Sequence, residues 1–294
     1  MIVVAGATGH TGSVVAEKLL AAGEKVRVVG RSAEKLQRFV TQGAEAFVGD
    51  VTDAAAMTRA FTDADAVYAM IPPSMAEKDF YAYQARIAES LASAIEKAAV
   101  KHVVALSSIG ADKPEKCGPV TGLHRFEQRL NMLGGVNLLH LRPGYFMENL
   151  LQFIGLIKAM GMMAGTLRGD LPIAMIATRD IGSAAAEALA KRDFSGRQTR
   201  ELHGAREVTM SEAAAVIGRA IGKSLSYSKM PEMVVKPALA RMGLSDDMAR
   251  LLLEMLDAMN SGWMAPQEPR SPANTTPTTI EAWVEEVFLP AYRA

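Results

Sequence analysis

Short runs of apolar and β-branched residues alternate with stretches of helical periodicity over the first two-thirds of the chain. The runs predict six strands, at residues 2–5, 26–29, 46–48, 66–71, 102–106 and 136–141. Helices are predicted between them, at 11–22, 33–42, from 53 onwards, at 80–99 and at 123–133. Strands that alternate with helices pair in parallel through right-handed crossovers. Strands that are apolar at every position are typical of a sheet covered by helices on both faces. The pattern therefore predicts a doubly wound α/β sheet.

The pattern changes after about residue 145, where helix-like stretches dominate and one more strand is predicted near 199–203. We expect residues 1–145, completed by that strand, to form the sheet domain. Residues 146–175 and 205–294 are expected to form a smaller, mostly helical subdomain on the substrate side. In this part Ser211 is predicted as a helix N-cap, and Gly222 as the glycine that ends the same helix. Residues 265–279 are predicted as a loop before the last helix.

A glycine-rich loop, Gly6-Ala7-Thr8-Gly9-His10-Thr11-Gly12, follows the first predicted strand and opens the first predicted helix. Glycine permits a sharp turn and a close approach of the backbone to phosphate, and a third glycine permits close packing of helix on strand. The helix N-terminus adds free N–H groups and the positive end of the helix dipole. This context predicts a dinucleotide-binding loop of a Rossmann sheet, with a ligand-free glycine turn as the alternative. The predicted cofactor contacts in the loop are Gly6, Thr8, Gly9, His10, Thr11 and Gly12.

The end of the second predicted strand selects between NAD(H) and NADP(H). An acidic residue there would bind the ribose hydroxyls of NAD(H), but the sequence is Gly30-Arg31-Ser32. The planar guanidinium of Arg31 suits a 2′-phosphate, so NADP(H) is predicted over NAD(H), with Ser32 as a further contact. The alternative is a solvated Arg31 without a ligand. Asp50 and Val51, after the third strand, are predicted beside the adenine.

Composition and charge argue against several other classes of function. Lysine plus arginine and aspartate plus glutamate are equal at 32 each, so no nucleic-acid partner is expected. Cys117 is the only cysteine and the five histidines are scattered, so neither an internal disulfide nor a metal site is expected. The most apolar stretch, 150–167, is interrupted by Gln152 and Lys158, so no membrane span is expected. No secretory signal is visible, and the expected location is the cytoplasm.

Three further motifs accompany the glycine loop and Arg31. They are Ser107-Ser108-Ile109-Gly110-Ala111, Leu141-Arg142-Pro143-Gly144-Tyr145-Phe146-Met147-Glu148-Asn149, and Thr178-Arg179-Asp180-Ile181-Gly182. Together they resemble the NmrA-like group of the atypical short-chain dehydrogenase/reductases, over nearly the whole chain. The resemblance implies a Rossmann domain that binds NADP(H). The group includes quinone oxidoreductases as well as regulatory proteins.

The ordinary members of that superfamily use a Tyr-x-x-x-Lys pair as acid and cofactor clamp. None of the six tyrosines here has a lysine four residues later. Some NmrA-like enzymes carry a lysine four residues before a glutamate, but here Leu123 stands four before Glu127. One interpretation is an NADPH-dependent oxidoreductase for a small conjugated acceptor such as a quinone, which accepts hydride readily once held against the nicotinamide. The other is a redox sensor that binds NADP(H) without turnover and signals to a protein partner.

Candidate contacts lie at the ends of strands four, five and six. The further cofactor contacts predicted there are Met70, Ile71, Pro72, Ser107, Ser108, Pro143, Gly144 and Phe146. Ser107 and Ser108 are expected near the nicotinamide ribose, with strand-end capping as the alternative. Phe146 and Asn149 are expected at the substrate, with helix capping as the alternative for Asn149. His124 is the predicted proton donor, and a surface position on its helix is the alternative.

Overall fold

Seven parallel strands form the main sheet of the protein, whose computed structural model describes residues 1–294. Numbered along the whole chain, they are β1 (Ile2–Ala5), β2 (Val26–Gly30), β3 (Glu45–Val48), β4 (Ala66–Ala69), β5 (His102–Leu106), β6 (Asn137–Pro143) and β10 (Arg197–Leu202). Their order across the sheet is β10-β6-β5-β4-β1-β2-β3, so the chain order reverses at β1. The prediction of a doubly wound α/β fold is confirmed.

Six helices cover the two faces of this sheet. They are α1 (His10–Ala21), α2 (Ala33–Val40), α3 (Ala54–Phe61), α4 (Phe80–Lys97), α5 (Pro119–Asn131) and α7 (Thr178–Lys191). Alternate residues of a strand point to opposite faces. Ile2 and Val4 of β1 share a buried cluster with α1, α2 and α7. Val3 and Ala5 share a second cluster with α3, α4 and α5. Both faces are therefore buried, which explains why β1 is apolar at every position.

The other elements form a mostly helical part with its own core. They are β7 (Tyr145–Phe146), α6 (Ile154–Met160), β8 (Met163–Gly165), β9 (Ile173–Ile176), β11 (Glu207–Val208), α8 (Met210–Ile221), β12 (Tyr227–Lys229), α9 (Glu232–Arg241), α10 (Asp246–Asn260), α11 (Ile280–Trp283) and α12 (Leu289–Arg293). Two small sheets, β11-β9-β7 and β12-β8, belong to it. Trp283 and Phe288 are fully buried in its core. The division of the chain at residue 145 stays a prediction, because α7 and β10 return to the main sheet from beyond it.

Several element ends differ from the sequence prediction. The helix predicted at 123–133 begins at Pro119, because Gly118 and the proline, which favours the first helical turn, start it earlier. The strand predicted at 66–71 ends at Ala69. The N-cap predicted at Ser211 is Thr209, whose hydroxyl and the Glu212 carboxylate form a reciprocal capping box. Gly222 ends the same helix at a positive φ, as predicted.

None of the helices is both long enough and apolar enough to cross a bilayer.

Three histidines are held in their neutral form by burial. Burial lowers the pKa of His140, whose Nε2–H donates to Oδ1 of Asn131 at 2.9 Å while Nδ1 is buried without a partner. Burial and nearby arginine charges also lower the pKa of His102 and of His203. The unfolded chain binds protons at these positions with a pKa of about 6.5. Since the unfolded state then holds more protons than the native state, stability is lost as the pH falls below that value.

We predict that the free energy of unfolding, measured in urea between about pH 8 and pH 5, is level above about pH 7 and falls below about pH 6.5. His140→Gln removes one of the three groups, so it should flatten the slope between about pH 6.5 and pH 5. His10→Gln changes an exposed histidine and serves as the control. A free energy of unfolding that rises as the pH falls through this window would contradict the assignment.

Candidate functional site

The carboxyl ends of the parallel strands meet at one edge of the main sheet, where the order reverses between β4 and β1. The helices that follow these two strands, α4 and α1, cover opposite faces, so their loops part and leave a crevice. Open α/β sheets bind ligands at such a switch point. The loop 6–12 lies on one side of the crevice and Met70 on the other. A Cβ on Gly6 would lie 2.8 Å from Sδ of Met70, so the two loops touch there.

The glycine loop leaves a helix N-terminus without acceptors for its N–H groups. Gly6 has a φ of +70°, which favours glycine, and the N–H of Gly9 donates to its carbonyl oxygen at 3.0 Å. Helix α1 has no side-chain cap and no acidic residue in its first turn. The N–H groups of His10, Thr11 and Gly12 therefore have no partner within the protein. Such groups, with the helix dipole, bind phosphate.

The other loop residues have separate roles. A Cβ on Gly12 would lie 2.3 Å from the carbonyl oxygen of Gly6, so Gly12 permits α1 to pack on the loop. A Cβ on Gly9 would meet only that oxygen, at 3.4 Å, so Gly9 borders open space. The hydroxyl of Thr11 faces inwards and accepts a hydrogen bond from buried Tyr68 at 2.9 Å. Thr11 can therefore meet a ligand through its N–H and not through its hydroxyl.

An unpaired arginine lies at the end of β2. Arg31 is exposed and forms no ion pair or side-chain hydrogen bond. Ser32 caps α2 by accepting a hydrogen bond from the N–H of Lys35 at 3.3 Å. Burial raises the pKa of Asp50, but the hydrogen bonds from Thr52 and the charge of Arg31 outweigh burial. The pKa of Asp50 is therefore below its ordinary value, and Asp50 is an anion. The end of β2 and the loop after β3 thus carry one free cation and one carboxylate engaged by Thr52.

A buried ion pair lies beneath the ends of β5 and β6. Glu127 of α5 is 2% exposed and binds both the Nε and the Nη2 of Arg142, at 2.9 and 2.6 Å. Ser107 donates its hydroxyl proton to the same carboxylate at 2.5 Å. Burial lowers the pKa of Arg142, but the hydrogen bond and charge of Glu127 raise it overall. Ser107 is therefore fixed within a network that the sequence did not reveal, and the hydroxyl of Ser108 bonds to the carbonyl of Ile109.

His124 lies on the side of α5 that faces the loop after β5. It is half-buried, and its Nδ1 lies 2.8 Å from the carbonyl oxygen of Ala111. A carbonyl can only accept, so Nδ1 carries the proton and Nε2 is left for exchange with a ligand or water. The ring of His124 is therefore anchored at a half-exposed position on the helix. Its catalytic role stays a prediction.

The loops after β5 and β6 are joined to each other and to the helical part. The N–H of Ile109 donates to the carbonyl of Pro143 at 3.1 Å. A Cβ on Gly144 would lie 2.0 Å from the carbonyl oxygen of Ala174, so this glycine permits a close backbone approach. Phe146 is half-buried on β7, which pairs with β9. Asn149 is exposed and caps no helix, so its alternative role is wrong and substrate contact stays a prediction.

Helix α10 spans the edge of the sheet between the loops after β4 and β5. Ser245 donates its N–H to the carbonyl of Met75 at 2.9 Å, and Asp247 accepts from the N–H of Phe80 at 2.9 Å. Farther along, Glu254 accepts from the N–H of Gly118 at 3.2 Å. Beyond its end, Met264 packs so closely on Gly110 that a Cβ there would lie 2.6 Å from Cγ. This cover places methionine side chains over the segment that follows Ser107.

Two carboxylates within the motifs, Glu148 and Asp180, bind segments that are distant in the sequence. Glu148 accepts hydrogen bonds from the N–H and hydroxyl of Thr178, at 3.1 and 2.7 Å, and from Nε1 of Trp283 at 3.2 Å. Buried Asp180 accepts from the N–H and hydroxyl of Thr278, at 3.0 and 2.8 Å. Their occurrence inside the two motifs was the available signal, but the partners of Glu148 are 30 and 135 residues away and that of Asp180 is 98 residues away.

The remaining predicted contacts follow strand ends at the same edge of the sheet. They are Thr8, exposed; His10, exposed; Val51 and Met70, buried; and Ile71, Pro72, Ser108 and Gly144, half-buried. The strand ends therefore gather these residues along the crevice, as parallel pairing requires.

Comparison with known proteins relates the whole chain to one family. A model of the NmrA-like family matches residues 1–284. The chain is 31% identical over 239 residues to a (4-alkanoyl-5-oxo-2,5-dihydrofuran-3-yl)methyl phosphate reductase of Streptomyces griseus, covering 81% of this chain and 80% of that protein. It is 28% identical over 262 residues to an NAD(P)H azoreductase of Xenophilus azovorans, covering 88% and 85%.

A solved structure shares both parts of the fold. It is that of an NADPH-dependent quinone oxidoreductase of Escherichia coli, with a TM-score of 0.80 and 25% identity. The match covers 98% of this chain and 100% of that chain, so the helical part is included as well as the sheet.

We predict that Gly12→Ala lowers the free energy of unfolding by about 1–3 kcal/mol, because the new methyl group overlaps the carbonyl of Gly6. Gly9→Ser is the matched control: it adds a side chain in open space and suits the N-cap, so the change should stay within about 0.5 kcal/mol. Urea denaturation of the three proteins measures both effects. Equal destabilisation by the two substitutions would show that the glycines do not have separate roles.

Proposed function

The chain belongs to the NmrA-like family, and we propose that it is an NADPH-dependent oxidoreductase that passes a hydride to a small conjugated acceptor such as a quinone. The observation that carries the proposal is the set of partnerless N–H groups on α1, with unpaired Arg31 at the end of the neighbouring strand. A dinucleotide with a 2′-phosphate has anionic groups suited to both positions.

The residues at the crevice fit NADP(H) in both charge and space. The open space beside Gly9 and the N–H groups of His10 and Thr11 suit the pyrophosphate. Arg31 suits the 2′-phosphate, and no carboxylate stands at its strand end to bind ribose hydroxyls instead. Asp50 is already engaged by Thr52. NADP(H) is therefore the proposed cofactor, ahead of NAD(H), in agreement with the NADPH dependence of the Escherichia coli quinone oxidoreductase.

The acceptor side supports a substrate that needs little acid catalysis. When bound, NADPH supplies the hydride, and the protein has to hold the acceptor and provide for one proton. Ser107 and the Nδ1–H of His124 already donate within the protein, so neither is a free neutral donor. Conjugated acceptors tolerate this, because the charge left by hydride addition is delocalised. The named azoreductase and quinone oxidoreductase relatives act on small molecules of this kind.

The proposed site residues follow from the strand ends. We propose that Phe146 and Asn149 contact the acceptor, and that Nε2 of His124 takes up a proton from water and passes it to the reduced acceptor while Nδ1–H stays bonded to Ala111. The proposed cofactor contacts are Gly6, Thr8, Gly9, His10, Thr11, Gly12, Arg31, Ser32, Asp50, Val51, Met70, Ile71, Pro72, Ser107, Ser108, Pro143, Gly144 and Phe146.

Titration with NADPH, followed by stopped-flow oxidation against quinones, azo dyes and aldehydes, tests the proposal. We expect saturable binding, fast oxidation by quinones and little or none by aldehydes. Gly9→Val is the control, because its side chain would occupy the space proposed for the pyrophosphate. Tight binding of NADPH without oxidation by any acceptor would favour the sensor interpretation over the enzyme.

Cofactor preference depends on Arg31 in this account. We predict that wild-type protein binds NADP(H) at least about tenfold more tightly than NAD(H), and that Arg31→Ala removes most of this preference. Arg38→Ala is the matched control, since Arg38 is a neighbouring exposed arginine that pairs with Glu17. Fluorescence titration with both reduced cofactors gives one affinity ratio for each of the three proteins. A preference that survives in Arg31→Ala would assign it to another residue.

Proton delivery is the role proposed for His124. We predict that His124→Ala lowers turnover about 10²-fold while the affinity for NADPH stays nearly unchanged. His124→Gln preserves a donor for the Ala111 carbonyl but cannot ionise, so it should be as slow as His124→Ala. Steady-state rates as a function of pH measure the effect. Turnover and a pH profile like those of wild type would make water the proton source.

A further inference from the structure

A single buried carboxylate joins the three segments that border the far end of the crevice. Glu127 lies on α5, Ser107 follows the end of β5, and Arg142 stands near the end of β6. Glu127 binds Ser107 at 2.5 Å and Arg142 at 2.6 and 2.9 Å, and it is 2% exposed. Other side chains join two of these elements, as His140 of β6 and Asn131 of α5 do, but Glu127 is bonded to both of the other segments at once.

The chemistry of the network fixes the direction of each hydrogen bond. A guanidinium can only donate, and it donates to both oxygens of Glu127, so the carboxylate is ionised and can only accept. Ser107 must therefore donate its proton to Glu127. Only the lone pairs of its hydroxyl remain for another group, so Ser107 can accept a hydrogen bond from a ligand hydroxyl and cannot donate one to a carbonyl.

The segments attached to Glu127 are those proposed to border the nicotinamide. Ser108 and Ile109 follow Ser107 directly, and Pro143 follows Arg142 directly. His124 lies three residues before Glu127 on the helix, so the two side chains are neighbours on one face. The loop that carries Arg31 has no bond to the network. A change at Glu127 therefore acts on one end of the crevice and spares the other.

We propose that Glu127 is a positioning residue, which fixes the strand ends after β5 and β6 and the His124 turn of α5 in the arrangement needed for hydride transfer. The inference rests on the proposed function, because it assumes that the nicotinamide lies between these segments. Glu127 itself touches neither cofactor nor acceptor in this role. It acts by fixing the direction of the Ser107 hydroxyl and the position of the Arg142 side chain.

An exposed ion pair on the same helix provides a matched control. Arg129 of α5 binds Glu89 of α4 through Nε and Nη2, at 2.7 and 3.0 Å, with the same two-point geometry. The Glu89 side chain is 63% exposed, and the pair lies outside the crevice. Glu89→Gln therefore removes a similar charge from a similar pair without touching the strand ends. Exposed pairs of this kind contribute little to stability.

The test compares two readouts in wild type, Glu127→Gln and Glu89→Gln. The first is the affinity for adenosine 2′,5′-bisphosphate, which has the adenosine end of NADP(H) and lacks the nicotinamide. The second is the single-turnover rate of NADPH oxidation by a quinone at saturating NADPH. We expect Glu127→Gln to lower the rate at least about tenfold and to leave the affinity within about twofold. Glu89→Gln should change neither.

Ser107→Ala keeps the buried ion pair and provides a second variant should Glu127→Gln not fold. We expect it to lower the same rate at least about threefold with unchanged affinity for the bisphosphate. A parallel loss of affinity and rate in these variants, or an unchanged rate, overturns the inference and leaves the proposed function standing. Wild-type protein that binds the bisphosphate but oxidises no NADPH overturns the proposed function, and this inference with it.

Discussion

All strands of the main sheet are parallel, so their carboxyl ends lie at one edge, and the strand order reverses at β1. The rest of the structure depends on this arrangement. Because of this reversal, the chain leaves β1 and β4 towards opposite faces of the sheet, and a crevice opens between the two loops. Helix α1 begins at this crevice, and its first N–H groups have no partner within the protein. These groups cannot pair within the protein, because the glycine loop brings no side-chain acceptor to them. Water or an anion must satisfy them, and the dipole of α1 favours the anion. The proposed cofactor site is a consequence of this one constraint.

The helical part is attached to the sheet by carboxylates that accept hydrogen bonds from distant N–H groups. Glu148 and Asp180 bind Thr178, Trp283 and Thr278, and Asp247 and Glu254 bind the starts of α4 and α5. Each bond joins residues that are far apart in sequence but fixes only one point of contact. Apolar contacts add to these bonds, since Met248 and Leu251 of α10 pack on Phe80. The position of α10 over the strand ends therefore depends on polar and apolar contacts together.

The sequence predicted the parts of the protein that follow from local pattern. Six strands and the glycine loop were predicted because short apolar runs and the spacing of glycines are local signals. The capping residue of α8 was predicted at the wrong position because Ser211 and Thr209 are both good caps, and only the partner Glu212 decides between them. The buried role of Glu127 was not predicted, since its partners Ser107 and Arg142 meet it only after the sheet has formed. For the same reason, nothing in the sequence indicated that Met264 covers Gly110.

A crystal structure of the protein with NADP⁺ measures the central claim directly. The account predicts pyrophosphate oxygens within hydrogen-bond distance of the N–H groups of His10 and Thr11, and the 2′-phosphate beside Arg31. It also predicts that the nicotinamide lies between the strand ends after β5 and β6, above the Ser107–Glu127–Arg142 network. NADP⁺ bound elsewhere on the molecule, or a pyrophosphate that makes no contact with the start of α1, would contradict it.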